Sequence, residues 1–206
     1  MIVVVDYGAG NLRSVVNAIE ALGRRAQVTD DPRMLCDASA IILPGVGAFG
    51  DGMEGLRKRD LVDALREEVL AKGKPFLGIC LGMQLLADEG LEDGRHEGLG
   101  WIHGTVRRIT TSDRRFKVPH MGWNDIEIER PSRLLDGLPE APIFYFAHSY
   151  YFDPAPASAG AVTSTVQHGI TLSATLEHKN ICAVQFHPEK SQRVGLTVLE
   201  NFLKVS

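Results

Sequence analysis

Between Pro75 and Leu86 the sequence PFLGICLGMQLL places Cys80 in an apolar run, with Gly78 and Gly82 two residues to either side. A thiol there suits nucleophilic attack on a carbonyl or amide carbon. G-x-C-x-G is the thiol counterpart of the nucleophile elbow, a sharp strand-to-helix turn in which residues without a Cβ relieve crowding while the nucleophile projects from the sheet edge. At a helix start, free N–H groups and the dipole favour an anion, here a thiolate. The N–H of Leu81 would then point at the oxygen of a carbonyl under attack. A buried structural cysteine is the competing reading, and it is the preferred one for Cys36 and Cys182.

A base and its orienter stand at AVQFHPEK, Ala183 to Lys190. His187 precedes a proline, which pushes it out of the α region into an extended conformation. Residues i and i+2 of an extended chain point the same way, so His187 and Glu189 share a side. Cys80, His187 and Glu189 thus have the types of a triad: nucleophile, base, and carboxylate that fixes the base's tautomer. A second oxyanion donor needs another backbone loop at the same edge. PGVGAFGDGM, Pro44 to Met53, has four glycines and can offer the N–H of Val46 or Gly47; an ordinary strand-to-helix turn is the plain alternative. The other histidines, at 96, 103, 120, 148, 168 and 178, show no ligand spacing, so no metal and no cofactor is expected.

These residues need a sheet to bring them together. Ile2 to Val5 is a short β-branched run, followed by a glycine turn and then Leu12, Val15, Ile19 and Leu22 at helical spacing. The unit recurs: AIILPGVGAFG, a helix over Leu56 to Leu70, PFLGIC, and a helix in LGMQLLADEG. Such alternation implies a parallel sheet with helices on both faces. After about residue 100, WIHGTVRRI, NDIEIE, IFYFAHSYYF, GAVTSTV and NICAVQF read as strands, partly antiparallel, with a last helix from Val194 to Val205. PAPASAG reads as an exposed loop. The 206 residues are expected to form one domain, 44% hydrophobic and 23% charged, with formal charge -4. That balance argues against nucleic acid as the main ligand. The basic clusters at Arg57 to Arg59 and at Arg107, Arg108, Arg114, Arg115 and Lys117 are read as solvated faces. No run is long enough to span a bilayer, and three scattered cysteines fit a reducing cytoplasm. DYGAGNL suggests a dinucleotide loop, but Arg13 stands where the third glycine of G-x-G-x-x-G belongs.

The combination of PGVGAFGDGM, GICLGMQLL and FHPEKS resembles the class I, triad-type glutamine amidotransferases. DYGAGNLRSV and PHMGWN narrow the resemblance to the glutaminase subunits of imidazole glycerol phosphate synthases, nearly from end to end. The resemblance implies a three-layer α/β fold, with a central mostly parallel, mixed sheet flanked by helices and extra antiparallel strands in the second half. It implies that glutamine is hydrolysed to glutamate through a cysteinyl thioester. The ammonia then passes to a cyclase subunit, a (β/α)8 barrel, in a heterodimer of histidine biosynthesis. It places Gln84, Glu92, Ser149 and Tyr150 near the substrate. It places Asn11, Met121 and Trp123 toward the partner, although Gln84 could be a plain helix residue and Trp123 a core tryptophan. A glycine-rich loop at Pro44 to Met53 would take its productive shape mainly when the partner is liganded. A stand-alone cysteine hydrolase of a peptide or γ-glutamyl bond is the alternative.

Overall fold

The computed structural model describes residues 1–113 and 115–204. Arg114 of the second basic cluster and Val205 of the expected last helix lie outside the described residues. The strands are β1 Ile2–Val5, β2 Ala26–Thr29, β3 Ala40–Gly45, β4 Phe76–Cys80, β5 Glu89–Gly90, β6 His96–Glu97, β7 Gly104–Arg108, β8 His120–Ile128, β9 Ile143–His148, β10 Tyr150–Pro154, β11 Val162–Gln167, β12 Thr171–His178 and β13 Ile181–Val184. Among the described residues, nine of them form one sheet in the order β2-β1-β3-β4-β13-β12-β11-β8-β9, and four form a second, β10-β7-β5-β6. From β2 to β13 neighbours run parallel; from β13 to β9 they are antiparallel.

The central strands β1, β3, β4 and β13 are buried at every position, as expected of parallel strands covered on both faces. Their two-residue period divides them between two cores. Val3, Val5, Ile41, Leu43 and Ala183 face one core; Val4, Ile42, Leu77, Ile79 and Val184 face the other. Helix α1, Leu12–Ala21, lays Val15, Ala18 and Ile19 on the second core. Helix α2, Phe49–Lys58, lays Phe49, Met53 and Leu56 on the first.

The single helix expected over Leu56 to Leu70 is broken. Chain 59–60 interrupts it, and α3, Leu61–Leu65, starts afresh and runs into a π-helical turn, Arg66–Ala71. At the break Asp60 is left-handed, φ 55°, a conformation that a short polar side chain tolerates. The Arg59 guanidinium fastens the end of α2 by donating to the carbonyls of Tyr7 and Gly55.

The helix after Cys80 is also shorter than LGMQLLADEG suggests: α4 covers only Leu81–Gln84. The carbonyls of Leu85, Leu86 and Ala87 accept N–H groups from Leu99, Gly100, Trp101 and Ile102, so they no longer stand ready to extend it. The last helix, α5, starts two residues early, Gln192–Lys204. IFYFAHSYYF divides at Ser149 into β9 of the large sheet and β10 of the small one. Among the described residues no helix is long and apolar enough to cross a membrane.

Candidate active site

Strand register assembles the site. Cys80 ends β4 opposite Gly45, the last residue of β3. On the other flank Val184 of β13 pairs with Ile79, so the chain that continues through Gln185, His187 and Glu189 leaves the sheet beside the cysteine. The nucleophile candidate therefore stands between the glycine loop and the histidine segment.

Cys80 has φ 53° and ψ −106°, a backbone state that costs a non-glycine residue about 1–3 kcal/mol. The flanking glycines make the turn possible by close approach. A Cβ on Gly82 would fall 1.7 Å from the Leu43 carbonyl oxygen, and one on Gly78 would fall 2.6 Å from that of Gly82. In the neighbouring loop Gly47 has φ 124°, which L residues rarely adopt.

His187 is buried, with extended backbone dihedrals of −98° and 95°. Its Nδ1 lies 2.8 Å from Glu189 Oε1, and both side chains are sealed from solvent. The same carboxylate oxygen accepts the side-chain amide of Asn11. Burial pushes the imidazole toward the neutral form. The neighbouring Cys80 and the Glu189 carboxylate outweigh it and raise His187 to about 9. Nε2 makes no aligned hydrogen bond among the described residues, yet the sulfur lies near enough to act on the charge of the ring. Such an arrangement favours an imidazolium at His187.

A cavity of about 180 Å³ opens over the sulfur. Cys80, Leu81, Val46, Gly47, Gln84, Glu92, Ser149 and Tyr150 line it, with Met121. Two of these residues have further ties. Glu92 Oε2 accepts the N–H of Phe49, the first residue of α2, at 2.8 Å. Gln84 Nε2 donates to the Tyr150 carbonyl at 2.9 Å and to Gln185 Oε1 at 3.0 Å. Asn11 and Trp123 lie elsewhere. Asn11 touches the Glu189 carboxylate. Trp123 is half-exposed on β8, lines a separate groove with Ile143 and Val194, and packs edge-on against Tyr145.

Sequence reasoning placed Asn11 toward the partner and missed the roles of three further groups in this neighbourhood. Asn11 steadies Glu189, and Gln185 donates to the Cys80 sulfur at 3.6 Å. The buried pair His120 and His148 joins Nδ1 to Nε2 at 3.1 Å. Tyr7 keeps its hydroxyl buried without a partner among the described residues; burial, then the charge of Cys80, drives its pKa up. Only Gln185 left a signal, as a polar residue inside an otherwise apolar buried run.

A family model described as Glutamine amidotransferase class-I matches residues 3–205. The chain is 48% identical over 206 residues to the Imidazole glycerol phosphate synthase subunit HisH of Syntrophotalea carbinolica, with 98% of each covered. It is 49% identical to the protein of that name from Zymomonas mobilis, covering 98% of this chain and 94% of that one. In fold it is similar to a crystal structure of glutamine amidotransferase (TM-score 0.75, 21% identity, 100% and 98% covered). It is similar also to the structure of PurLQS from Thermotoga maritima (TM-score 0.75, 20% identity, 99% and 97% covered).

Proposed function

This chain belongs to the class I glutamine amidotransferases, among the glutaminase subunits of imidazole glycerol phosphate synthase, and from that premise we propose that Cys80, His187 and Glu189 perform the hydrolysis. The observation that carries the proposal is the sealed His187–Glu189 pair next to a strained cysteine at a sheet edge.

The Cys80 thiolate attacks the side-chain amide carbon of glutamine. The C–S bond forms, and the carbonyl electron pair moves onto oxygen, which faces the N–H of Leu81 and that of Val46 or Gly47. His187 gives its Nε2 proton to the amide nitrogen, the C–N bond breaks and ammonia leaves. The neutral imidazole then takes a proton from water as the water oxygen attacks the thioester. Collapse expels the sulfur as thiolate and releases glutamate. Glu189 stays ionised throughout and holds Nδ1–H, with Asn11 steadying the carboxylate. Glu92 offers its second oxygen to the substrate ammonium, while Ser149 and Tyr150 hold the amino-acid moiety.

The enzyme is one subunit of a synthase and works with a partner subunit. We take that partner to be a (β/α)8 cyclase that receives the ammonia in a heterodimer in the cytoplasm, docking over Met121 and Trp123. Handing ammonia over directly keeps it from being protonated in neutral water. Of the Pro44 to Met53 stretch only residues 46–48 are loop, the ends belonging to β3 and α2; this short connection reaches its productive shape mainly when the partner is liganded, which limits wasteful hydrolysis. Relatives matched over nearly their whole length speak against a stand-alone hydrolase.

The test is Cys80→Ala in the two-subunit complex. Glutamine-dependent synthesis should fall to background, while synthesis from added ammonium salt at alkaline pH stays within about twofold of wild type. Loss of both activities, or retention of the glutamine-dependent one, would contradict the assignment.

A further inference from the structure

A buried amide chain ends on the Cys80 sulfur, and its direction can be worked out. It starts at the Tyr150 carbonyl oxygen, which can only accept. That oxygen lies 2.9 Å from Gln84 Nε2 and 2.8 Å from His148 Nδ1, so Gln84 must present its NH2 group there. The second N–H of that group is 3.0 Å from the Gln185 amide, which must therefore present its oxygen to Gln84. Gln185 is left with its own NH2 directed at the Cys80 sulfur, 3.6 Å away. Inverting either amide would set two acceptors or two donors face to face in a site where Gln185 is fully buried and Gln84 nearly so.

The histidines agree with this polarity. With Nδ1–H of His148 committed to the Tyr150 carbonyl, its Nε2 is an acceptor, and His120 Nδ1, 3.1 Å away, donates to it. His120 Nε2 then accepts from the Asn124 amide, whose NH2 group also donates to the Gln167 carbonyl.

An N–H directed at sulfur favours its negative form. We propose that Gln185 is a catalytic residue of this glutaminase: its side-chain N–H, aimed by Gln84 from the Tyr150 carbonyl, stabilises the Cys80 sulfur as a thiolate before attack and as the leaving group of the glutamyl thioester. The inference rests on Cys80 being the nucleophile. It also gives Gln84 an inward duty, steadying Gln185 and Tyr150 together, beside its place in the pocket wall. Because the donor meets more charge on a departing thiolate than on a thioester sulfur, it accelerates the second half of the reaction.

The test compares wild type with Gln185→Met, using the pH profile of alkylation by the neutral reagent iodoacetamide, read by peptide mass spectrometry. Exposed Cys36 serves as the internal reference. The pH at which Cys80 alkylation is half-maximal should lie about one unit higher in the variant, the scale of one hydrogen bond to a charged group, with that of Cys36 unchanged. The glutamyl adduct on Cys80 should also accumulate during turnover of glutamine in the two-subunit complex. Equal Cys80 midpoints in the two proteins would overturn the role of Gln185 while leaving Cys80 as nucleophile. A wild-type Cys80 that forms no glutamyl adduct, in a complex that still hydrolyses glutamine, would instead overturn the underlying reading. Should Gln185→Met fail to fold, the side-chain NH2 resonances of Gln185 in wild type and Cys80→Ala decide. A shift larger than the line width supports the contact, and coincident resonances overturn it.

Discussion

Asn11 and Glu189 are 178 residues apart in the chain, yet the amide of one holds the carboxylate of the other while that carboxylate holds His187. A triad carboxylate that can rotate orients its imidazole less well. Asn11→Ala should therefore lower kcat for glutamine hydrolysis roughly tenfold with KM little changed, as steady-state kinetics of the complex will show. A rise in KM alone would contradict a positioning role. Cys80, His187 and Glu189 were legible because each signal is local: a glycine two residues to either side, or a histidine held extended by its proline. Asn11 and Gln185 were not: Gln185 stands out only as a polar residue in an apolar run, and nothing near either residue says that its partner lies 178 or 105 residues away.

Among the elements, the turn from β4 into α4 carries the tightest steric demand. A methyl group at Gly82 would meet a backbone carbonyl of β3, which has no rotamer by which to withdraw. Gly82→Ala should cost about 3 kcal/mol of stability, measured by denaturant unfolding, and should shift the sulfur enough to slow glutamine hydrolysis. An unchanged midpoint would mean that β3 and α4 are not packed as described. The alternation of strands and helices was readable because the central strands are apolar at every position. The break at Asp60 and the early end of α4 were not, since tertiary hydrogen bonds set both: Arg59 onto Tyr7, and Leu99 to Ile102 onto the carbonyls that would have extended the helix.

For the whole molecule, buried histidines pull stability in opposite directions with pH. Burial, helped by the neighbouring imidazoles His148 and His168, pushes His120 down to about 3. Burial pushes His148 down to about 4 despite its bond to Tyr150, with His168 and His187 adding to the fall. Both contributions are complete above the ordinary histidine value of about 6.5 and fade as pH falls through about 4 and about 3. His187 is raised to about 9, so its contribution is complete below about 6.5 and fades as pH climbs through about 9. Thermal melts across this range should peak near pH 6.5, and His187→Gln should flatten the alkaline limb, with a smaller change on the acid limb through His148. A melting temperature that keeps rising toward pH 9 would contradict the charged state assigned to His187.

The central claim is that the Cys80 sulfur, activated by His187 and Glu189, is the atom that bonds to the glutamine side-chain carbon. Treating the two-subunit complex with 6-diazo-5-oxo-L-norleucine, a reactive glutamine analogue, and mapping the adduct by mass spectrometry tests it directly. A single adduct on Cys80 is expected, suppressed by excess glutamine and absent from Cys36 and Cys182. Inactivation with the label on any other residue, or none on Cys80, would contradict it.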